Sequence, residues 1–286
     1  MIGYCEAVLT SVGCRFVLDV QAPTFATLLV EPHSSEIERV VSDLMVCSTG
    51  VETEPFVDGF GNRCRRVSMP AGTVELEYMA SVEVSDEVDP ADESAQQLAP
   101  AEIPNRALPL LLPSRYCESD LLADEAWKLF GDIEPCWSQV QAIVDWVHEN
   151  VEFDYARSST SHTAVSVLQN RVGVCRDFTH VAIALCRALN IPARYVFGYL
   201  PDIDVPDPGT PMDFCAWMEV LLGGCWYTFD VRNNQRRKGR TVIGRGRDAA
   251  DVAMVTSYGL APLLEMQVTA EKALHTASIH ADATIS

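Results

Sequence analysis

The sequence predicts an α+β fold: an N-terminal antiparallel β domain, then helices packed on a second antiparallel sheet. Two observations carry this. Residues 1 to about 98 hold short β-like runs separated by turn residues such as Asp58-Gly59 and Gly61-Asn62. Further on, Trp137, Val140, Ile143, Val144 and Val147 recur at helical spacing, with Gln141, Asp145 and Glu149 opposite.

In order, the runs Arg15–Val20, Ala26–Val30, Arg63–Met69 and Val74–Val84 read as strands, and Arg39–Val46 fits a strand or a short helix equally. From Glu83 to Pro113 the composition turns to Asp, Glu, Pro, Ala and Gln, which marks a connecting stretch. Beyond the helix around Trp137–Val147, Ser161–Gln169 reads as a second helix with Ser161 as its N-cap and Val165 and Leu168 inward. A Gly-containing turn, Arg171 to Cys175, opens a third helix whose buried face is Phe178, Val181, Ala182, Leu185 and Leu189, ending at Asn190 before Ile191-Pro192. Three β runs follow, Ala193–Leu200, Asp213–Leu222 and Trp226–Asp230, the last two joined by Gly223-Gly224. The domain expectation is a β-rich unit at 1–98, a Pro/Ala-rich linker at 99–115, a core at 116–260, and a C-terminal strand and tail at 261–286.

The chain has 286 residues, and at roughly 150 per domain this suits two domains. Its formal charge of −19 repels phosphate backbones and anionic lipid surfaces, which argues against nucleic-acid or membrane partners. The opening residues show neither a cationic region nor a cleavage site, and no apolar run is long enough to span a bilayer, so the expectation is a cytoplasmic protein. Ten cysteines in a reducing compartment read as free thiols, mostly buried. Without CxxC, HExxH or a clustered Cys/His pattern, neither metal nor cofactor is expected.

One cysteine has a setting. Cys175 lies where a turn becomes a helix, near unsatisfied N–H groups and the positive end of the helix dipole, with Arg176 beside it. Those features lower a thiol pKa and make a nucleophile, the plain alternative being simple packing.

The order Gly173-Val-Cys-Arg-Asp-Phe178, Ile191-Pro-Ala-Arg-Tyr-Val196 with Gly198-Tyr199, Asp213-Phe-Cys-Ala-Trp-Met-Glu-Val220 and Trp226-Tyr-Thr-Phe-Asp230 resembles the bacterial transglutaminase-like family, over about residues 130–250. Its members are described as cysteine proteases with a papain-like core. The resemblance implies acyl transfer by a Cys-His-Asp set, with Cys175 as nucleophile and Asp230 as the acid that orients the imidazole. The family's histidine belongs directly before Ala-Trp, and here that position is Cys215. Some relatives that lack it carry a histidine shortly after the aspartate, where this chain has Asn233. A thiol with a reference pKa near ~8.5 cannot hold a neighbouring thiolate as an ion pair or protonate a leaving amine, help typically worth about 10²–10⁴ in rate.

No other histidine fits by position. His180 lies about 140° around the helix from Cys175 at ~3.6 residues per turn. His148 and His162 read as exposed, and His33, His275 and His280 fall outside the matched core. Strand alternation sets Cys215, Trp217 and Glu219 on one face and Trp226, Thr228 and Asp230 on a face of the next strand, so Cys175, Cys215 and Asp230 are expected to meet. Facing thiols also raise a redox pair as an alternative. Arg176, Trp217, Arg232 and Asn233 are the substrate-binding candidates. Between Val231 and Arg247 there are seven cationic residues and no acidic one, fit either to pair with the chain's own acids or to hold an anionic substrate. The expected function is thiol acyl transfer on a peptide, protein or small acyl substrate, by hydrolysis or transamidation, with a catalytically impaired binding or scaffolding module as the alternative.

Overall fold

A computed structural model describes residues 7–206 and 208–273; His275, His280 and the expected tail lie outside the described residues. The N-terminal region supplies β1 (Ala7–Val20), β2 (Thr24–Leu28), β3 (Val40–Cys47), β4 (Glu52–Val57), β5 (Arg63–Met69) and β6 (Gly72–Ser85). In β6 the alternation is regular: Val74, Leu76, Tyr78, Ala80, Val82 and Val84 are buried between more exposed neighbours. The ambiguous Arg39–Val46 stretch is a strand, β3, entered directly from a short 3-10 helix at Ser34–Arg39. β4 has no counterpart among the sequence-predicted strands, because five of its six residues are exposed and no alternation shows.

The helices are α1 (Ala123–Phe130), α2 (Trp137–Asn150), α3 (Ala164–Asn170) and α4 (Cys175–Ala188). The predicted inward face of α2 is buried as expected, joined by Gln139. α3 starts later than predicted: Thr163, not Ser161, is its cap, accepting the Ser166 N–H at 3.4 Å, and Ala164 and Val167 rather than Val165 and Leu168 are its buried residues. α4 is buried from Asp177 to Arg187 and forms the central helix, closed by Asn190 in the left-handed region at φ 62°.

Two residues each of β7 (Glu152–Phe153) and β8 (Val172–Gly173) form a small parallel pair below the start of α4. The core sheet is β9 (Ala193–Tyr199), β10 (Cys215–Leu222), β11 (Cys225–Phe229) and β12 (Thr241–Gly246), in the order β11-β10-β9-β12, all antiparallel. The turn between β10 and β11 has Gly223 and Gly224 at φ 55° and 86°, the geometry a two-residue hairpin requires. β12 lies inside the basic segment, where no strand is expected from sequence.

The chain then returns to its beginning. β13 (Val255–Ser257) pairs with β2 and β14 (Leu263–Lys272) pairs with β1, giving sheets ordered β13-β2-β5-β4 and β14-β1-β6-β3. The stretch at 99–115 is itself packed: Ile103 and Ala107 are buried against Leu221. One hydrophobic cluster runs from Phe16 and Leu76 through Ile143 and Leu185 to Val220, so the β region and the helical core share it. Among the described residues no helix is long and apolar enough to cross a membrane.

Candidate active site

The N-terminus of α4 is held by its own third residue. Asp177 Oδ2 accepts the Val174 N–H at 3.0 Å, and its Oδ1 accepts Arg176 Nε and Nη2 at 3.0 and 2.8 Å. Gly173 is required by this closeness, since a Cβ there would stand 2.6 Å from the Asp177 Cβ. Cys175 is thereby fixed as the first residue of α4, half-buried, with its sulfur taking the backbone N–H groups of Ala216 and Arg176.

The electrostatics differ from the sequence expectation. Burial pushes the Cys175 thiol up to about 11, and the carboxylates of Asp213 and Asp230 add to this, outweighing the two N–H groups. Arg176 does not offset it, because its guanidinium is turned onto Asp177 and the Ser159 carbonyl, the latter at 2.6 Å. Desolvation therefore outweighs the two N–H groups and favours the neutral thiol.

Cys215 opens β10, paired with Gly198, and its thiol is pushed well above its ordinary value by burial and then by Asp230 and Cys175, against Arg240 and Arg232. Asp230 follows β11 with its side chain buried. Its Oδ1 accepts the Asn233 N–H at 2.9 Å, while its Oδ2 accepts Asn233 Nδ2 at 2.9 Å and Arg240 Nη2 at 2.8 Å. The amide of Asn233 and the guanidinium of Arg240 thus occupy the carboxylate that the family resemblance assigns to an imidazole.

Cys175 and Cys215 both border two cavities. The larger, about 420 Å³, lies over Tyr195 and Phe197 and extends to Met254 and Met266. The smaller, about 100 Å³, is bordered by Arg232 and Asn233. Arg232 stacks its guanidinium 4.4 Å from the Phe153 ring centroid and donates to Asn233 Oδ1 at 2.5 Å. Trp217 departs from its candidate role. Fully buried, it packs between Val196 and Val242 beneath the Arg240 guanidinium, 4.7 Å from the ring centroid, and borders neither Cys175 cavity. The side chains brought together are thus Cys175, Cys215, Arg232 and Asn233, with Asp230 behind them.

No histidine among the described residues borders either cavity. His180 is fully buried, stacked 5.1 Å from the Tyr116 ring and tilted against Tyr195 at 5.1 Å, and its Nε2 accepts the Ala249 N–H at 3.1 Å. Burial, with Arg176 and Arg187 nearby, lowers its pKa well below the ordinary range, so it stays neutral. His148 is exposed as expected, whereas His162 is half-buried with its Nδ1 3.7 Å from Asp177 Oδ2.

Asp213 and Tyr155 are site residues to which sequence reasoning gave no role. Tyr155 Oη donates to Asp213 Oδ2 at 3.4 Å, and both border the two cavities. Burial raises the Asp213 carboxyl and lifts the Tyr155 phenol to about 12. Asp213 stands two residues before Cys215, in the motif itself; for Tyr155 the sequence holds no signal. The basic segment is spent within the molecule: Arg237 pairs with Asp202 at 2.7 Å, Lys238 with Asp204 at 2.6 Å, Arg240 with Asp89 at 2.9 Å, Arg245 with Glu219 at 2.9 Å and Arg247 with Asp251 at 2.9 Å.

A model of the transglutaminase-like superfamily matches residues 129–231. A crystal structure of a "putative cysteine protease" from Cytophaga hutchinsonii is similar at 31% identity and a TM-score of 0.82, covering 96% of this chain and 93% of that one. An uncharacterized protein of Mycobacterium leprae is 23% identical over 238 residues, covering 80% of this chain and 84% of its own length. One from Mycobacterium tuberculosis is 28% identical over 256 residues, covering 82% and 81%. With the helix-terminal cysteine, the strand-end aspartate and near-complete overlap with the Cytophaga protein, the chain belongs to the transglutaminase-like superfamily.

Proposed function

We propose that the chain is a thiol-dependent acyl-transfer enzyme that forms an acyl-enzyme on Cys175 and passes the acyl group to water or an amine. The observation that carries this reading is the placement of Cys175, a half-buried thiol at the first residue of α4 that opens onto a cavity. The description of the Cytophaga neighbour as a "putative cysteine protease" supports the same chemistry.

The absent imidazole selects the donor. With the thiol raised to about 11, little of Cys175 is ionised at pH 7. An amide also needs its leaving nitrogen protonated, whereas a thioester does not. In that exchange the Cys175 sulfur attacks the carbonyl carbon, the donor's C–S bond breaks, and the thiol proton leaves with the departing sulfur. Thioesters and similarly activated donors are therefore the favoured substrates, with peptide and isopeptide bonds slower. A cytoplasmic setting, where thiols stay reduced, goes with this reading.

The test is single-turnover acylation by a thioester and its matching amide, read by mass spectrometry of the Cys175 peptide, in the wild type and in Cys175→Ala. Acylation by the thioester alone, absent from the variant, is expected; undiminished turnover in Cys175→Ala would sink the proposal. The elevated thiol pKa and the thiol of Cys215 at the histidine position favour a second reading, an impaired enzyme retained as a binding or scaffolding module. On that reading neither donor acylates the wild type, and Cys215→His restores acylation.

A further inference from the structure

The cavity over Cys175 has a chemistry of its own. At about 420 Å³ it is of the size that holds a small organic group. Tyr195 and Phe197 of β9 form one side, and Val252, Met254, Val255 and Met266, from the chain that returns to the N-terminal sheets, form the other. Its polar lining includes Asp213, Tyr155 and Cys215, with Tyr116, Ser158 and Thr160. The one cationic side chain on its wall, Arg176, is committed to Asp177 and the Ser159 carbonyl. A carboxylate or phosphate entering this space would lose its water and meet no free counter-charge, a cost an apolar group does not bear.

We propose that this cavity is the subsite for an uncharged, apolar acyl group, aliphatic or aromatic, held with its carbonyl at the Cys175 sulfur. The proposal rests on Cys175 being the nucleophile. It adds the part of the substrate that is recognised: the acyl side is selected by apolar burial, and donors with a charged acyl terminus are rejected. The outer wall is where size is set, because Ala253, next to Met254, is exposed and borders the opening.

The test separates recognition from acyl transfer. Recognition is read with neutral alkylating probes, iodoacetamide against N-benzyl iodoacetamide, as saturation kinetics of Cys175 modification. Chemistry is read with N-acetylcysteamine thioesters of acetate, butanoate, phenylacetate and succinate. The benzyl probe is expected to half-saturate at a concentration lower by about tenfold or more. Ala253→Trp should remove that advantage, and Met266→Ala should shift preference toward longer acyl chains. Butanoyl and phenylacetyl thioesters should acylate at least ~10-fold faster than the succinyl donor at equal concentration. A probe preference without thioester acylation would uphold the subsite and overturn acyl transfer. Equal saturation by both probes, or succinyl transfer as fast as butanoyl, would overturn the subsite.

Discussion

Cys175 is caught between two N–H groups that favour its thiolate and a buried, doubly acidic surrounding that opposes it. Because the ionised form reacts and its pKa is raised, alkylation of Cys175 should accelerate about tenfold per pH unit from pH 7 to 10, levelling only near the thiol pKa. In Cys215→His an imidazolium would stand where a neutral thiol stands now, and alkylation at pH 7 should rise by at least ~100-fold, read by peptide mass spectrometry across the pH range. A second residue-scale outcome concerns Glu219. Burial pushes its carboxyl up, but Arg245 and Arg194 outweigh this and hold it below its ordinary 4.5. Its stabilisation is therefore complete above that value and is lost as the pH falls through the lower folded one. Glu219→Gln strands two guanidinium groups, at 2.9 and 2.5 Å from it, and should cost about 3 kcal/mol in urea melts at pH 7. Cys175, Cys215, Asp230 and Asn233 were legible because motif order fixes them along the chain. Trp217 was not, since it shares a strand face with Cys215 and only β12, hidden in a basic stretch, shows that this face is covered.

Among the elements, α4 carries the site by its first turn. Gly173→Ala would drive a Cβ into Asp177, displace the cap on Val174 and move Cys175 off its N–H partners. The expected loss is about 1–3 kcal/mol in thermal stability together with a changed Cys175 alkylation rate, whereas a surface change such as Glu149→Ala should alter neither. Elements with one buried face announced themselves: the period of two in β6 and of 3.6 in α2 reflects a single boundary between water and core. β4 and β12 did not. One is mostly exposed, and the other is buried along most of its length but carries glycines and an arginine whose charge is met by Glu219 rather than by water. Pairing across the sheet, not local pattern, makes both of them strands.

At the scale of the whole molecule, the end of the described chain completes the sheets begun at its start. Through β13 on β2 and β14 on β1, the β region depends on residues that follow the core, and the shared hydrophobic cluster binds the two. Calorimetry should accordingly give one unfolding transition whose van't Hoff and calorimetric enthalpies agree. Truncation after residue 252 should yield an insoluble or unfolded product, because it bares the edges of β1 and β2. No sequence pattern announced this closure, since Thr10 and Lys272, which pair, lie 262 positions apart. It also sets the timing of the protein's birth on the ribosome. Cys175 emerges, and α4 can form around it, while Met254, Val255 and Met266 are still untranslated, so the nascent chain presents its thiol bare. The cavity that this thiol borders is walled only when β14 has been made.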